Sequence, residues 1–316
     1  MKVLLIGHSR IARRRVLPAL RTLPEATAIT VASRSAVRTD IDSAIPIIND
    51  YETAIASSGA DLAYVSVANS EHVVWAERCL RAGMHVIVDK PACLTYDEAQ
   101  RLADVAAAHR CCLAEATVFN YHPQFQALRQ AFEDAETRVT RVTTVFSFPP
   151  FDPQDFRNRR ELGGGALYDL GPYAVATSRL LFGKAPRTIA CEVHARQEPA
   201  GLDAAFSVLF TYDSGGAMVG HFGFDTEYQN RLHALGPGLS VELQRAFTLP
   251  SDTPGRLTMR RNNIESELEI APSDAFANFL RSVVDAIAIG SWGSFTSAFM
   301  ADAELLAELR NTSGER

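Results

Sequence analysis

Short apolar runs alternate with amphipathic stretches along residues 1–115. Near-continuous apolar runs of this length are typical of buried strands, and the amphipathic stretches between them are typical of helices. The predicted strands are Lys2–Ile6, Ala28–Ala32, Ile45–Ile48, Leu62–Val67, Val86–Val88 and Cys111–Ala114. The predicted helices are Arg13–Leu23, Tyr51–Ser58, Glu71–Arg81 and Thr95–His109. This alternation predicts an α/β fold with a parallel sheet covered by helices on both faces.

The pattern changes after about residue 120, where the β-like segments become longer. The predicted strands are Val139–Phe148, Thr188–Ala195, Ala204–Tyr212, Ala217–Phe224, Leu239–Phe247, Gly255–Arg260 and Glu265–Ile270. The predicted helices are Pro123–Phe132, Gly164–Phe182, Ser273–Ile289 and Ser297–Arg310. The Asp-Ser-Gly-Gly run at 213–216 is typical of a hairpin turn, which indicates a mostly antiparallel sheet. We therefore predict two domains, residues 1–118 and 119–316.

Charge and composition limit the classes of function. The chain of 316 residues has a formal net charge of −6 at pH 7, which excludes an extended nucleic-acid interface because phosphate binding needs a basic surface. The apolar runs are too short to cross a membrane, and the first residues lack the long apolar segment of a signal peptide. We therefore expect a cytoplasmic protein. The spacing of the five cysteines and eight histidines favours reduced thiols and no metal site.

A glycine-containing turn follows the first predicted strand and precedes the first predicted helix. Its sequence, Gly-His-Ser-Arg-Ile-Ala, is a variant of the dinucleotide-binding motif in which Ser replaces the second Gly. The free N–H groups of such a helix start attract a diphosphate. The Ser9 hydroxyl either donates to the diphosphate or holds the nucleotide away from the backbone. The residues predicted to contact the nucleotide here are Gly7, Ser9, Arg10, Ile11 and Ala12.

The end of the second predicted strand indicates which nucleotide is preferred. An NAD site normally has an acidic residue there, which binds the ribose 2′-hydroxyl. This chain has Ser33 and Arg34 instead, with Arg38 shortly after them. A hydroxyl and a planar guanidinium suit a 2′-phosphate, so NADP(H) is favoured over NAD(H). The alternative for Arg34 is a solvated surface arginine.

Two further motifs carry groups suited to acid–base chemistry. Lys90 follows the strand Val86–Val88, at the edge of a parallel sheet where ligands bind, and lysine otherwise occurs only at Lys2 and Lys184. The run Gly-Gly-Gly-Ala-Leu-Tyr-Asp-Leu-Gly-Pro-Tyr starts a later helix and places Asp169 and Tyr173 four residues apart, on one helix face. A lysine, a carboxylate and a phenol together form a candidate set for proton transfer to a carbonyl oxygen.

Four segments resemble, in order, the glucose-fructose oxidoreductase, inositol dehydrogenase and MocA-type family. They are GHSRIA, the run Asn69-Ser70-Glu71-His72, AGMHVIVDKP, and GGGALYDLGPY. The resemblance implies an N-terminal Rossmann domain and a C-terminal α/β domain with an open, mostly antiparallel sheet. It also implies hydride transfer at C4 of a nicotinamide, and a homodimer or homotetramer formed through the C-terminal sheet.

The resemblance assigns roles to individual residues. Lys90 matches the lysine of the family's Glu-Lys-Pro motif, with Asp89 in place of Glu. Asp169 matches the acidic residue of the family's Asp-x-x-x-His motif. Many members have a catalytic His at the position of Tyr173. In this respect the chain resembles the members that use Tyr as the acid, which are the dihydrodiol dehydrogenases, glucose-fructose oxidoreductase and the nucleotide-sugar 3-ketoreductases. Asn69 and His72 match the segment that borders the nicotinamide.

Two segments resemble the sugar ketoreductase branch, namely 115–124 and 148–162. They contain the substrate-binding candidates His122, Arg157 and Arg159. The two arginines suit an anionic substrate such as a sugar diphosphate. The alternative is that these arginines lie in a solvated loop and bind no substrate. The leading hypothesis is an NADP(H)-dependent reductase of a carbohydrate ketone, and a variant of it oxidises a free sugar or a trans-dihydrodiol. The other hypothesis is a non-catalytic relative that binds NADP or a sugar, because Ser9, Ala68 and Asp89 depart from the family pattern.

Overall fold

The computed structural model describes residues 1–34, 44–197 and 201–314. By their contacts these residues divide into two units. The first unit contains Met1–Ala116 and Phe276–Ala303, and the second contains Thr117–Ala275 and the chain from Glu304 onwards. The sequence analysis set a domain boundary at residue 118 and assigned everything after it to one domain. In the structure, residues 276–303 instead make most of their contacts within the first unit.

The first unit is built on a six-stranded parallel sheet. Its strands are β1 (Lys2–Ile6), β2 (Ala28–Ala32), β3 (Ile47–Ile48), β4 (Leu62–Val65), β5 (His85–Val88) and β6 (Leu113–Glu115). Its helices include α1 (Leu17–Arg21), α2 (Tyr51–Ser57), α3 (His72–Arg81) and α4 (Tyr96–His109). The strand order is β3-β2-β1-β4-β5-β6, so the chain changes direction across the sheet between β1 and β4. Ligands of such sheets bind beyond the carboxyl ends of the strands at this point.

The termini of the helices in this unit follow local rules. The Thr95 side chain accepts from the Glu98 N–H, and the Glu98 carboxylate accepts from the Thr95 N–H, so the two residues form a capping box. The first helical segment differs from its prediction. It starts with a π-helical turn at Ala12–Val16, which is wider than an α-helical turn. Helix α1 follows directly, with Pro18 in its first turn. Pro18 has no N–H to donate, and it follows the wider helical turn in which the N–H of Leu17 donates to the carbonyl of Ala12.

The second unit contains an eight-stranded sheet. Its strands are β7 (Arg141–Ser147), β8 (Thr188–Gln197), β9 (Leu202–Thr211), β10 (Ala217–Gly223), β11 (Gln229–Gly236), β12 (Leu239–Gln244), β13 (Gly255–Arg261) and β14 (Ile264–Ile270). Helices α5 (Pro123–Asp134) and α6 (Ala166–Phe182) precede β8. The strand order is β14-β13-β12-β11-β7-β10-β9-β8, and only β7 and β10 pair in parallel. The predicted α/β class, with one parallel and one mostly antiparallel sheet, is confirmed.

Strand β11 has no counterpart among the predicted strands. The buried positions of this strand are Asn230, Leu232 and Ala234. Because a polar amide stands at one of them, the strand lacks the alternation of apolar and polar residues by which strands are predicted. The buried amide is satisfied by distant partners: Asn230 accepts from the N–H of Phe247 and donates to the hydroxyl of Thr248. Buried amides are stable when they are hydrogen-bonded in this way, but the sequence pattern does not reveal the partners.

The last two helices are α7 (Ala275–Ala288) and α8 (Gly293–Ser313). Phe299 of α8 is buried in the apolar core beneath the parallel sheet, whereas Leu305 and Leu309 of the same helix belong to the core of the second unit. One helix therefore supplies apolar side chains to both cores. Among the described residues, no helix is both long enough and apolar enough to cross a lipid bilayer.

The start of α6 depends on a residue from strand β9. Asp203 is buried, and its carboxylate accepts a hydrogen bond from the N–H of Leu167. Gly165, just before the helix, has a φ of +112°, and a Cβ at that position would lie 2.3 Å from Oδ1 of Asp203. The carboxylate and the glycine therefore fit together at the helix start, where unpaired N–H groups favour a negative charge.

Replacing Asp203 by Ala is expected to lower the free energy of unfolding by about 1–2 kcal/mol, because α6 loses its N-terminal acceptor. Urea denaturation followed by circular dichroism measures this change. The matched control is Asp104→Ala, which removes an exposed carboxylate from α4 and should change stability by less than about 0.5 kcal/mol. Equal effects of the two substitutions would contradict the assignment of Asp203 as a cap.

Candidate functional site

The turn after β1 allows only glycine at its first position. Gly7 has a φ of +93°, and its N–H donates to the carbonyl of Ala32 at 2.9 Å. A Cβ at Gly7 would lie 2.1 Å from the carbonyl oxygen of Ser66, beyond the end of β4. The turn is therefore held tightly against the neighbouring strand, at the point where the strand order reverses. This geometry fits a dinucleotide-binding turn.

Ser9 uses its hydroxyl oxygen within the protein. Its Oγ accepts a hydrogen bond from the N–H of Ala12 at 3.0 Å and lies 2.7 Å from Oγ of Ser66. The side chain thereby occupies a position like that of an N-cap for the first helical turn. Arg10 and Ile11 have exposed side chains, and Ala12 is buried. The residues predicted to contact the nucleotide thus form one continuous turn.

A chain of hydrogen bonds continues from Ser66 into the sheet. Ser66 donates to Oδ2 of Asp89, and the hydroxyl of Tyr64 donates to Oδ1 of the same carboxylate at 2.6 Å. Burial raises the pKa of Asp89, an effect that the hydrogen bonds from Ser66 and Tyr64 partly oppose. Burial and the adjacent carboxylate raise the pKa of Tyr64 well above its ordinary value, so Tyr64 remains a phenol. Lys90 follows Asp89 directly and lies at the same edge of the sheet.

Arg34 has protein partners in the structure. Its Nη2 donates to both carboxylate oxygens of Glu71 at 2.9 Å, and its guanidinium lies over the ring of Tyr51, 4.9 Å from the centroid. Trp75 also donates to Glu71. Arg34 remains more than half exposed, at 58% of its side chain, whereas Ser33 is buried. The predicted contact Arg38 lies outside the described residues.

Asn69 and His72 lie in the interior of the first unit. The two ring nitrogens of His72 are 2.8 Å from the carbonyl of Pro91 and 3.2 Å from that of Val67. Burial lowers the pKa of His72, which favours the neutral ring. This side chain connects the segment after β4 to the segment after β5, next to Lys90. Its geometry fits a positioning residue better than a direct contact with a nucleotide.

Helix α6 of the second unit carries Asp169 and Tyr173 one turn apart. Three phenylalanine rings surround the ring of Tyr173, with centroid distances of 5.5 Å to Phe119, 4.8 Å to Phe146 and 5.3 Å to Phe247. Edge and tilted contacts of this kind restrict the orientation of an aromatic ring. Tyr173 is partly buried, so part of this residue remains exposed.

Arg157 is engaged by two carboxylates. Its Nε donates to Asp169 at 2.8 Å, and its Nη1 donates to Asp155 at 3.2 Å. The guanidinium also lies over the rings of Phe151 and Phe156, at 4.7 and 4.5 Å from their centroids. Burial acts to lower the pKa of Arg157, but the two carboxylates outweigh it and the pKa is raised. The geometry thus ties Arg157 to Asp169 as an ion pair.

The other two substrate-binding candidates have different surroundings. Arg159 is about half exposed and donates to the exposed Glu161 at 2.8 Å. His122 is buried at the start of α5, where its Nδ1 accepts from the N–H of Gln124. Burial lowers the pKa of His122 below its ordinary value. Of the two side chains, only that of Arg159 is placed to meet a solute.

The predicted residues therefore form two groups. Ten of those in the described part of the chain lie around the carboxyl ends of strands in the first unit, and the other five lie around the starts of α5 and α6 in the second. The sequence analysis did not identify Tyr64, Ser66, Glu71 or Asp203. For Tyr64 and Ser66 a signal existed, because two hydroxyls two residues apart within the apolar run Leu62–Val67 must find buried partners.

Both parts of the chain match models of known protein families. Residues 1–117 match the model of an oxidoreductase family with an NAD-binding Rossmann fold, and residues 125–242 match the GFO/IDH/MocA C-terminal domain. A dTDP-3,4-didehydro-2,6-dideoxy-alpha-D-glucose 3-reductase of Saccharopolyspora spinosa is 28% identical over 295 residues, which cover 89% of this chain and 88% of the relative. The enzyme of the same name from Streptomyces violaceoruber is 30% identical over 257 residues, covering 79% and 75%.

A solved structure extends the similarity over the whole chain. KijD10, a 3-ketoreductase from Actinomadura kijaniata crystallised in complex with NADP and TDP-benzene, superposes with a TM-score of 0.93 at 25% identity. The match covers 99% of this chain and 97% of KijD10. The two domain models describe one oxidoreductase family, and the two relatives and KijD10 are named as 3-reductases or a 3-ketoreductase. The chain therefore belongs to the GFO/IDH/MocA family of NAD(P)-dependent oxidoreductases.

Proposed function

We propose that this protein is an NADP(H)-dependent reductase of a carbohydrate ketone, with a nucleotide-linked keto sugar as the favoured substrate. The observation that carries the reaction type is the placement of Tyr173 on α6, where three phenylalanine rings orient a phenol one helical turn from Asp169. A phenol fixed in this way is suited to donate a proton to a developing alkoxide. The same group can accept the proton when the reaction runs towards the ketone.

The residues of the first unit fit a dinucleotide. The Gly7–Ala12 turn offers N–H groups at a helix start for the diphosphate, and Gly7 admits the close approach of backbone that such a turn needs. Ser33 and Arg34 directly follow β2, at a position where a guanidinium is suited to bind a 2′-phosphate. The bound nicotinamide would supply or accept hydride at C4. Lys90, at the end of β5, would orient the nicotinamide ribose or a substrate oxygen through its ammonium group.

In the second unit, Arg157 pairs with Asp169 and fixes the orientation of its carboxylate. The carboxylate accepts from Nε of Arg157 while the guanidinium is held between two aromatic rings. An ionised Asp169 one turn from Tyr173 would orient a substrate hydroxyl and influence the acidity of the phenol. In this proposal Arg157 acts through Asp169, and Arg159 is the arginine that contacts an anionic substrate.

The relatives support the class of substrate. The curated relatives bear the name of a reductase of a dTDP-linked keto sugar, and KijD10 was crystallised with a TDP compound and NADP. The partly exposed Arg159 suits the charge of a sugar diphosphate. A non-catalytic relative would have no need to retain an oriented Tyr173 beside an ion-paired Asp169.

Replacing Tyr173 by Phe is expected to lower kcat by about 100-fold or more, because the proton donor is lost while the ring and its contacts remain. The assay follows NADPH oxidation with a panel of dTDP-linked and free keto sugars, and a separate fluorescence titration measures NADPH affinity. The affinity should change by less than about threefold, because Tyr173 is not part of the nucleotide turn.

Tyr168→Phe is the matched control on the same helix. The ring of Tyr168 lies against the guanidinium of Arg310, and its replacement by Phe preserves that contact. This variant should keep nearly all activity. Turnover that survives Tyr173→Phe, or falls equally in both variants, would rule out Tyr173 as the proton donor.

Replacing Arg34 by Ala is expected to weaken NADPH binding by about tenfold or more and to leave NADH binding nearly unchanged, because only NADPH carries the 2′-phosphate. Fluorescence titration with NADPH and with NADH gives the two dissociation constants, and their ratio measures the preference. Arg81→Ala, which removes an exposed arginine paired with Glu77 in the same unit, is the control. A preference for NADPH that persists without Arg34 would assign the selectivity to another residue.

We also propose that two copies of the chain associate through the exposed face of the eight-stranded sheet. Leu209 of β9 and Val219 of β10 are direct cross-strand neighbours, and each is 40% exposed.

Sedimentation velocity is expected to show a dimer or tetramer that Leu209→Glu dissociates. Ile289→Glu alters an exposed apolar residue outside this sheet and should leave the assembly intact. A monomeric wild-type protein would refute the proposal.

A further inference from the structure

Four oxygen-bearing side chains form a line from the glycine turn into the parallel sheet. The order is Ser9, Ser66, Asp89 and Tyr64, with each side chain within hydrogen-bond distance of the next. The N–H of Ala12 can only donate, so it occupies one lone pair of the Ser9 oxygen. Tyr64 is fully buried and keeps its proton, which it donates to Oδ1 of Asp89. With the Ala12 N–H and the Tyr64 hydroxyl donating at the two ends of the line, the protons between Ser9 and Asp89 are the ones that rearrange.

When Asp89 is ionised, all protons in the line point towards it. A carboxylate only accepts, so Ser66 donates to Asp89 and Ser9 must donate to Ser66. The hydroxyl proton of Ser9 then points into the protein. In this arrangement Ser9 presents no donor to an anion at the turn.

When Asp89 is neutral, the line can reverse. The protonated Oδ2 of Asp89 donates to Ser66, and Ser66 donates to Ser9. Ser9 then accepts from both Ala12 and Ser66, and its own proton points away from the line. Ser9 is partly exposed, so that proton can reach a ligand outside the turn. The two arrangements differ by one proton, which resides on Asp89.

We propose that Ser9, Ser66 and Asp89 form a hydroxyl relay that links nucleotide binding at the Gly7–Ala12 turn to the uptake of one proton by Asp89. The inference rests on the proposed binding of a dinucleotide at this turn. A diphosphate oxygen that accepts the Ser9 proton stabilises the reversed line, and Asp89 takes the required proton from solvent. No covalent bond of the nucleotide changes. Ser66 is a positioning residue, because it acts only through its two neighbours.

The surroundings of Asp89 permit this exchange. Burial raises its pKa, and the opposing groups are the hydroxyls of Ser66 and Tyr64 on the β4 side, His72 on α3, and Lys90 next in the chain. An anion at the turn removes the donation from Ser66 to Asp89, so the pKa of Asp89 is higher in the bound state than in the free state. The affinity for the nucleotide therefore rises as the pH falls through this range, by at most about tenfold per pH unit.

Isothermal titration calorimetry tests the relay. NADPH is titrated into the wild-type protein and into Ser66→Ala, between about pH 5 and 8, in pairs of buffers with different ionisation enthalpies. The dependence of the binding enthalpy on the buffer gives the number of protons taken up. Since the 2′-phosphate of NADPH titrates in the same way with both proteins, the difference between them reports the relay. The wild-type protein is expected to take up more protons than Ser66→Ala.

Two further variants distinguish the relay from a general loss of structure. Ser9→Gly removes the hydroxyl that meets the ligand, and is expected to bind NADPH without the additional proton uptake. Asp89→Asn replaces the carboxyl by an amide, which can donate to Ser66 at every pH. The affinity of this variant for NADPH is expected to depend less on pH than that of the wild type, because the amide does not titrate. Proton uptake in Ser66→Ala and Ser9→Gly equal to that of the wild type would overturn the relay. A wild-type protein that binds neither NADPH nor NADH would instead overturn the proposed function.

Discussion

The first unit depends on the close approach of the Gly7 turn to the carbonyl of Ser66. Two parallel strands, β1 and β4, end side by side at the point where the strand order reverses, and the turn after β1 touches the backbone after β4. There is room for backbone but not for a side chain. This constraint determines where the first helical turn starts, places Ser9 against Ser66, and brings Ser66 to Asp89, next to Lys90. The Gly7–Ala12 turn and the segment after β5, which contains Asp89 and Lys90, are thereby connected by hydrogen bonds.

Ion pairs organise most of the predicted arginines. Arg34 is held by Glu71, and Arg157 is held by Asp169 and Asp155. The physical context separates them. The guanidinium of Arg157 lies over two aromatic rings and is largely withdrawn from water, and in the proposed function its charge fixes Asp169. Arg34 is more exposed, and exposed ion pairs are weak, which is why we propose that a 2′-phosphate competes with Glu71 for it.

Much of the fold follows from local patterns. The six strands of the parallel sheet and the hairpin between β9 and β10 were predicted, because near neighbours in the sequence produce these signals. The predictions failed where distant residues decide. Strand β11 carries a buried Asn230 that is stable only because Phe247 and Thr248 satisfy it. Helix α8 contributes side chains to two cores, which no local pattern can express.

The sequence by itself determined the family, the α/β class and the residues with useful chemistry, because glycine at a turn, lysine at a strand end and tyrosine on a helix are signalled by their immediate neighbours. Only the tertiary structure decided what these residues touch. The partners of Ser9 and Arg34 lie 57 and 37 residues away in the chain, and Asp203 reaches α6 across 36 residues. Such contacts depend on which strands are adjacent and in which register they pair. That information is a property of the folded sheet and cannot be obtained from any single segment.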